Sequence, residues 1–209
     1  MKGKFITFEG GEGVGKTTQL KLIREYLSKN GVDAVFLREP GGNAISEKIR
    51  AIILDRANEG MCGICEAMLY SAARAQLCEE VIRPALESGK LVVCDRFIDS
   101  TFAYQGVARG LGAEKIDVLN SLACGDITPD LTIFLDLPPR LAFERKGGAD
   151  VNDRLEQEGM NFHIKVYEGY KLAAARNADR IVEIDCSSEA AATHERIVDV
   201  LIERGILER

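Results

Sequence analysis

The chain has 209 residues, 46% hydrophobic and 29% charged, a make-up that excludes wholesale disorder and collagen-like repeats. Its 27 Lys and Arg against 33 Asp and Glu leave a net charge of -6, which argues against duplex DNA or an anionic membrane as an electrostatic partner. Any phosphate chemistry must rest on positive charge supplied locally.

The apolar stretch before Glu9 is too short for a secretory signal. No segment approaches the roughly 20 apolar residues that span a bilayer, so a cytoplasmic protein is expected. Short, β-branched-rich runs occur at residues 4–9, 33–37, 90–94, 131–136 and 180–185. Their nearly continuous hydrophobicity predicts strands buried on both faces. Helical periodicity falls between them. Residues 16–29 place Leu20, Ile23 and Leu27 on one stripe, and 66–87 form a long alanine-rich helix that Pro84 should kink or end. Residues 114–123 and 189–203 complete the pattern. This alternation predicts right-handed βαβ units in one α/β domain spanning 1–209. The glycine-rich segment 146–153 reads either as a surface loop or as a lid.

Six cysteines do not make a metal site. Cys62 and Cys65 form a lone CxxC, His163 and His194 are isolated, and Cys94 reads as a small core residue.

The segment Gly10–Gly11–Glu12–Gly13–Val14–Gly15–Lys16–Thr17 fits G-x-x-x-x-G-K-[ST], between a predicted strand and a predicted helix. Its glycines let successive N–H groups converge on phosphate oxygens, and the following helix adds its positive dipole end. Lys16 would reach the β- and γ-phosphates, and the Thr17 hydroxyl would ligate Mg²⁺. The chain has neither the N-K-x-D of a GTPase nor the LSGGQ of a transporter ATPase. A small phosphotransferase remains, and its acceptor site must come from elsewhere in the sequence.

Arg38 and Glu39 follow the second predicted strand, at the carboxyl end where open α/β sheets bind ligands, and Arg50 follows on a helix-like segment. Tyr70 and Arg74 share a helix face, suiting an aromatic base stacked on Tyr70 with Arg74 forked onto a phosphate. Asp95 and Arg96 end the third strand, and the Gln105 amide can both donate to and accept from a pyrimidine edge. Taken singly, each has an ordinary structural explanation. Their position beside a phosphate loop favours a second nucleotide site.

The runs FEGGEGVGKTT, REPGG, ARAQ, DRFIDSTFAYQG, TPDLTIFLD and DRLEQE together resemble the bacterial thymidylate kinase family over almost the whole chain. The resemblance implies a three-layer P-loop NTPase fold, with a five-stranded parallel sheet flanked by helices and a short lid at about 144–156. It also implies a homodimer that phosphorylates dTMP with ATP and Mg²⁺. It assigns ATP to Gly10–Thr17 and Thr18, and metal contacts to Thr17 and Asp95. Glu12, Glu39, Arg50, Tyr70, Arg74, Arg96, Thr101 and Gln105 are assigned to the acceptor. Because the phosphate loop carries no Arg, the resemblance places the catalytic cation in the lid, where Arg145 leads Lys146 and Arg154; Lys16 and Arg96 complete the catalytic set. Another pyrimidine nucleotide kinase and a non-catalytic nucleotide switch are the alternatives.

Overall fold

The computed structural model describes residues 3–147, 154–155 and 157–208. Five parallel strands, β1 (Phe5–Glu9), β2 (Ala34–Arg38), β3 (Leu91–Asp95), β4 (Leu131–Asp136) and β5 (Ile181–Asp185), lie in the order β2-β3-β1-β4-β5. They occupy nearly the predicted positions. Phe8 registers with Asp95 on one side and Ile133 on the other, so the carboxyl ends of the central strands share one edge. Because the consecutive strands β3 and β4 lie on opposite sides of β1, that edge contains the crevice where open α/β sheets place ligands.

Side-chain alternation explains the continuous apolar runs. Ile6, Phe8, Ile133 and Leu135 face a core shared with Ile23 and Leu27 of α1 (Lys16–Lys29) and with Ile197 and Leu201 of α9 (Ala190–Glu203). Phe5, Val92 and Cys94 point the other way, onto Leu77, Ile82 and Phe97. Both faces are therefore dry. The second face also buries a polar cluster, in which Arg180 bridges both carboxylate oxygens of Asp99 at 2.7 and 2.9 Å and donates to Thr132 at 2.6 Å.

The predicted helix 66–87 runs from Gly63 to Glu87 and does not end at Pro84. It comprises α3 (Gly63–Leu77), a wide π turn (Cys78–Ile82) and α4 (Arg83–Glu87). Pro84 has no N–H and its ring crowds the preceding turn, and the wider i→i+5 turn just upstream accommodates both. The segment REPGG leads into α2 (Ala44–Leu54), capped by the Asn43 carboxamide accepting from Ser46 N at 2.8 Å. After β3, α5 (Ile98–Thr101) continues into a second wide turn (Phe102–Ala108), followed by α6 (Ala113–Cys124). The chain then forms β4, α7 (Pro139–Lys146) and α8 (Met160–Arg176). Gly169 lets α8 approach the second wide turn closely, since a Cβ there would lie 2.7 Å from Ala103 Cα. Of the expected lid, residues 148–153 and 156 lie outside the described residues.

Candidate active site

The phosphate loop joins β1 to α1. Gly15, in a left-handed conformation at φ 97°, ends the loop where α1 begins, and Gly13, at φ 75°, lies against α7. A Cβ at Gly13 would meet Ala142 O at 2.5 Å and Lys146 Cβ at 3.2 Å, so any side chain there would push α7 off the loop.

Beside the loop is a cavity with Glu12, Lys16, Thr17, Asp95 and Arg96 at its head. Lys16 Nζ lies 3.8 Å from Asp95 Oδ1. Burial and the nearby Arg96 lower the Lys16 pKa, against the pull of Asp95, Glu12 and Glu9. Arg96 is the only non-glycine residue with positive φ (70°) among the described residues, a costly backbone conformation that surrounding contacts must enforce. Its Nη1 donates to Gly10 O and the Tyr170 hydroxyl, both at 2.9 Å, and its Nη2 donates to Glu12 Oε1. Tyr104 adds a bond to Glu12 at 3.0 Å. Burial works against the Glu12 charge, but Arg96 and Lys16 outweigh it and hold the pKa at about 2.

Glu9, fully buried beneath Arg96, fixes this geometry. Its carboxyl accepts from Phe97 N at 2.7 Å, Ser100 Oγ at 2.6 Å and Tyr170 OH at 3.1 Å. Burial, reinforced by Asp99, pushes its pKa up from 4.5 to about 7. The native state therefore holds this proton more tightly than the unfolded chain, so the Glu9 contribution to stability declines as pH rises from about 4.5 to about 7 and is flat above. Glu9→Gln keeps a neutral group that can still bond Ser100 and Tyr170. Thermal melting from about pH 5 to about 7.5 should decline less steeply in this variant, by several degrees. Equal slopes in the two proteins would assign the pH dependence elsewhere.

The far end of the cavity brings together Arg50, Tyr70, Thr101 and Gln105 with Glu39, Pro40 and Leu155. Arg50 Nη1 donates to Pro40 O at 2.9 Å, and the Thr101 hydroxyl is buried without a hydrogen-bond partner. Arg74, expected to fork onto the acceptor phosphate, lies behind this wall. It is 1% exposed, outside the cavity wall, and its donors are occupied by Glu39 at 2.8 Å, Asn120 at 2.9 Å and Phe97 O at 3.0 Å. In this arrangement Arg74 holds the Glu39 carboxylate, which lines the cavity. Burial still raises the Glu39 pKa against the charge of Arg74.

A second cavity lies on the other side of the loop, lined by Gly15, Thr18, Gln19, Arg145, Ser187 and Glu189. The three lid cations separate here. Arg145 donates to Cys186 O at 2.8 Å and Ser187 O at 3.3 Å, in the wall of this second cavity. Lys146 packs on Gly13, and its charge contributes to lowering the Glu12 pKa. Arg154 is 5% exposed and bonds Ile53 O at 2.9 Å and Glu66 Oε2 at 2.6 Å, which makes it a structural brace. Cys62 and Cys65 are exposed free thiols at the start of α3, in neither wall.

Sequence reasoning missed Glu9, Glu66, Ser100, Tyr104 and Tyr170. A signal existed for three of them. Arg96, Ser100 and Tyr104 recur at four-residue spacing, as do Glu66, Tyr70 and Arg74. No local pattern marks Tyr170, which reaches Arg96 across 74 residues of chain.

A P-loop on a five-stranded parallel sheet, with cavities on both sides of its lysine-bearing turn, defines a P-loop NTPase fold. The thymidylate kinase family model matches residues 8–197. A thymidylate kinase of Thermoanaerobacter pseudethanolicus is 49% identical over 96% of this chain and 98% of its own. Another, from Caldanaerobacter subterraneus, is 47% identical over 97% of each. The crystal structure of thymidylate kinase from Ehrlichia chaffeensis superposes with a TM-score of 0.78 at 33% identity, covering 96% of this chain and 99% of that one. The chain belongs to the thymidylate kinase family and is a nucleoside monophosphate kinase.

Proposed function

We propose that this enzyme transfers the γ-phosphoryl group of ATP to dTMP. The observation that carries this reading is the double engagement of Arg96, which bonds Gly10 O of the phosphate loop while lining the acceptor cavity. Donor and acceptor phosphates would thus meet at one guanidinium and at Lys16. Little covalent work is required of the protein, because phosphoryl transfer depends on in-line positioning and charge stabilisation. Arg96 and Arg50 hold the acceptor phosphate, Tyr70 stacks on the base, Thr101 and Gln105 meet its edge, and Glu12 and Glu39 face the sugar.

Asp95 Oδ1 is buried without a hydrogen-bond partner, and Thr17 shares its cavity wall. One carboxylate and one hydroxyl suit Mg²⁺, which usually takes its remaining ligands from phosphates and water. When bound there, the ion would neutralise charge on the transferring oxygens. Our reading keeps 144–156 as the expected lid, whose task would be to exclude water from the transfer. The test is to supply ATP, Mg²⁺ and each pyrimidine monophosphate in turn and separate the products. Preferential formation of dTDP is expected, and absence of any diphosphate would overturn the reading.

Because Arg145 stands in the wall of the second cavity, our reading gives it the donor's base and takes Lys146 as the lid cation nearer the transfer. Arg145→Ala should therefore raise KM for ATP about 10-fold while changing kcat little. A ~100-fold fall in kcat at unchanged KM would return the catalytic role to Arg145.

The enzyme works as a cytoplasmic homodimer. All six cysteines are free thiols, as a reducing compartment maintains them, and no described helix is long and apolar enough to cross a membrane. Adjoining α2, α3 and α6 expose Ile45, Ile52, Ile64, Met68, Val118 and Leu122 as one apolar face. Leu122, 77% exposed, should be central to it. The protein should elute at twice the chain mass of 22.9 kDa, and Leu122→Glu with Met68→Glu should elute as a monomer. A monomeric unmodified protein would refute the dimer.

A further inference from the structure

Glu66 is fully buried on α3, outside the wall of either cavity, yet it bonds one residue of the acceptor wall. Its Oε1 accepts from Gln105 Nε2 at 2.8 Å. Oε1 also accepts from Arg109 Nε at 3.3 Å, and Oε2 accepts from Arg109 Nη2 at 3.2 Å and Arg154 Nη2 at 2.6 Å. Burial disfavours its charge, but the bonds from Gln105, Arg109 and Arg154 outweigh this and hold its pKa below the usual carboxylate value. An ionised carboxylate can only accept hydrogen bonds.

That property matters to Gln105, whose amide has an oxygen and an NH₂ of nearly the same shape. Turned one way it offers the cavity an acceptor, and turned the other way a donor. Glu66 permits only one arrangement, because an amide oxygen facing it would set two acceptors against each other with no proton between them. The NH₂ group must face Glu66, which leaves Oε1 on the opposite side of the amide. Gln105 is 1% exposed and cannot turn freely.

We infer that Glu66 is a positioning residue for base selection: it locks the Gln105 carbonyl toward the acceptor base, so that the site takes pyrimidines carrying an N3–H and refuses cytosine. Thymine and uracil donate from N3 to this carbonyl. Cytosine presents an N3 lone pair there, and a buried acceptor pair without a proton is costly. The inference rests on reading the first cavity as the acceptor site.

The experiment measures kcat/KM for dTMP, dUMP and dCMP in the unmodified enzyme and in Glu66→Gln. A glutamine at 66 can donate, so Gln105 can reverse. The dTMP:dCMP ratio should fall ~10-fold or more while dTMP:dUMP, which share N3–H, stays unchanged. Glu66→Asp remains acceptor-only and should keep the dTMP:dCMP ratio even if all rates decline. A purely structural Glu66 would lower every acceptor alike, and an unchanged ratio in Glu66→Gln overturns the inference. If that variant does not fold, Gln105→Met decides: removing the carbonyl should lower the same ratio, and retained selectivity overturns the inference. An unmodified enzyme that phosphorylates no pyrimidine monophosphate overturns the functional reading and this inference with it.

Discussion

Replacing Lys16 by Met should lower kcat/KM for phosphoryl transfer ~100-fold or more while leaving the thermal transition close to that of the unmodified enzyme. The cavity wall holds three acidic groups, Glu12, Glu39 and Asp95, against three basic ones, Lys16, Arg50 and Arg96. Loss of Lys16 makes it net acidic just where two anionic nucleotides must converge. Stability should change little. The Lys16 ammonium is desolvated, with its pKa lowered mainly by burial, so a methionine of similar length relieves that cost as it removes the attraction to Asp95. Single-turnover measurement at saturating ATP separates binding from chemistry. A variant with unimpaired single-turnover rate would show that backbone amides and Arg96 suffice, and would overturn the assignment.

The fold was legible because its determinants are local. Five apolar runs separated by helical periodicity can hardly be anything other than a parallel α/β sheet, and Gly10–Thr17 marks the edge that binds phosphate. The head of the site was legible for the same reason, since Lys16, Thr17, Asp95 and Arg96 all lie within a residue or two of strand or loop ends. Roles that depend on which partner a side chain finds were not legible. Arg74 lies on the same helix stripe as Tyr70, but only the three-dimensional structure shows its guanidinium already bonded to Glu39, Asn120 and Phe97. Arg145 and Lys146 are adjacent in sequence, and helical geometry directs them about 100° apart. One reaches the β5–α9 loop and the other covers Gly13. Composition alone does not locate charge: a net charge of -6 coexists with a cavity in which three basic groups offset three acidic ones.

Arg96→Ala should be the more damaging change, lowering kcat/KM for the acceptor ~1,000-fold through both a fall in kcat and a rise in KM. Three effects coincide. The phosphate loses its guanidinium, Gly10 O and Tyr170 OH lose a donor at 2.9 Å, and Glu12 loses the cation that opposes its burial. The freed Glu12 carboxylate would then repel the incoming phosphate. Arg96→Lys should recover only a small part of the activity, because one ammonium cannot span Gly10 O, Tyr170 OH and Glu12 while also meeting a ligand. The backbone at position 96 gives an independent readout. Its φ of 70° is enforced by Phe97 N bonding Glu9 and by Arg96 N bonding Phe8 O at 2.9 Å, neither of which involves the guanidinium. Arg96→Gly should therefore match Arg96→Ala in activity yet melt at a higher temperature, since glycine adopts this conformation without strain. If Arg96→Gly is no more stable than Arg96→Ala, the turn relaxes when the side chain is lost, and the guanidinium itself holds the strained backbone in place.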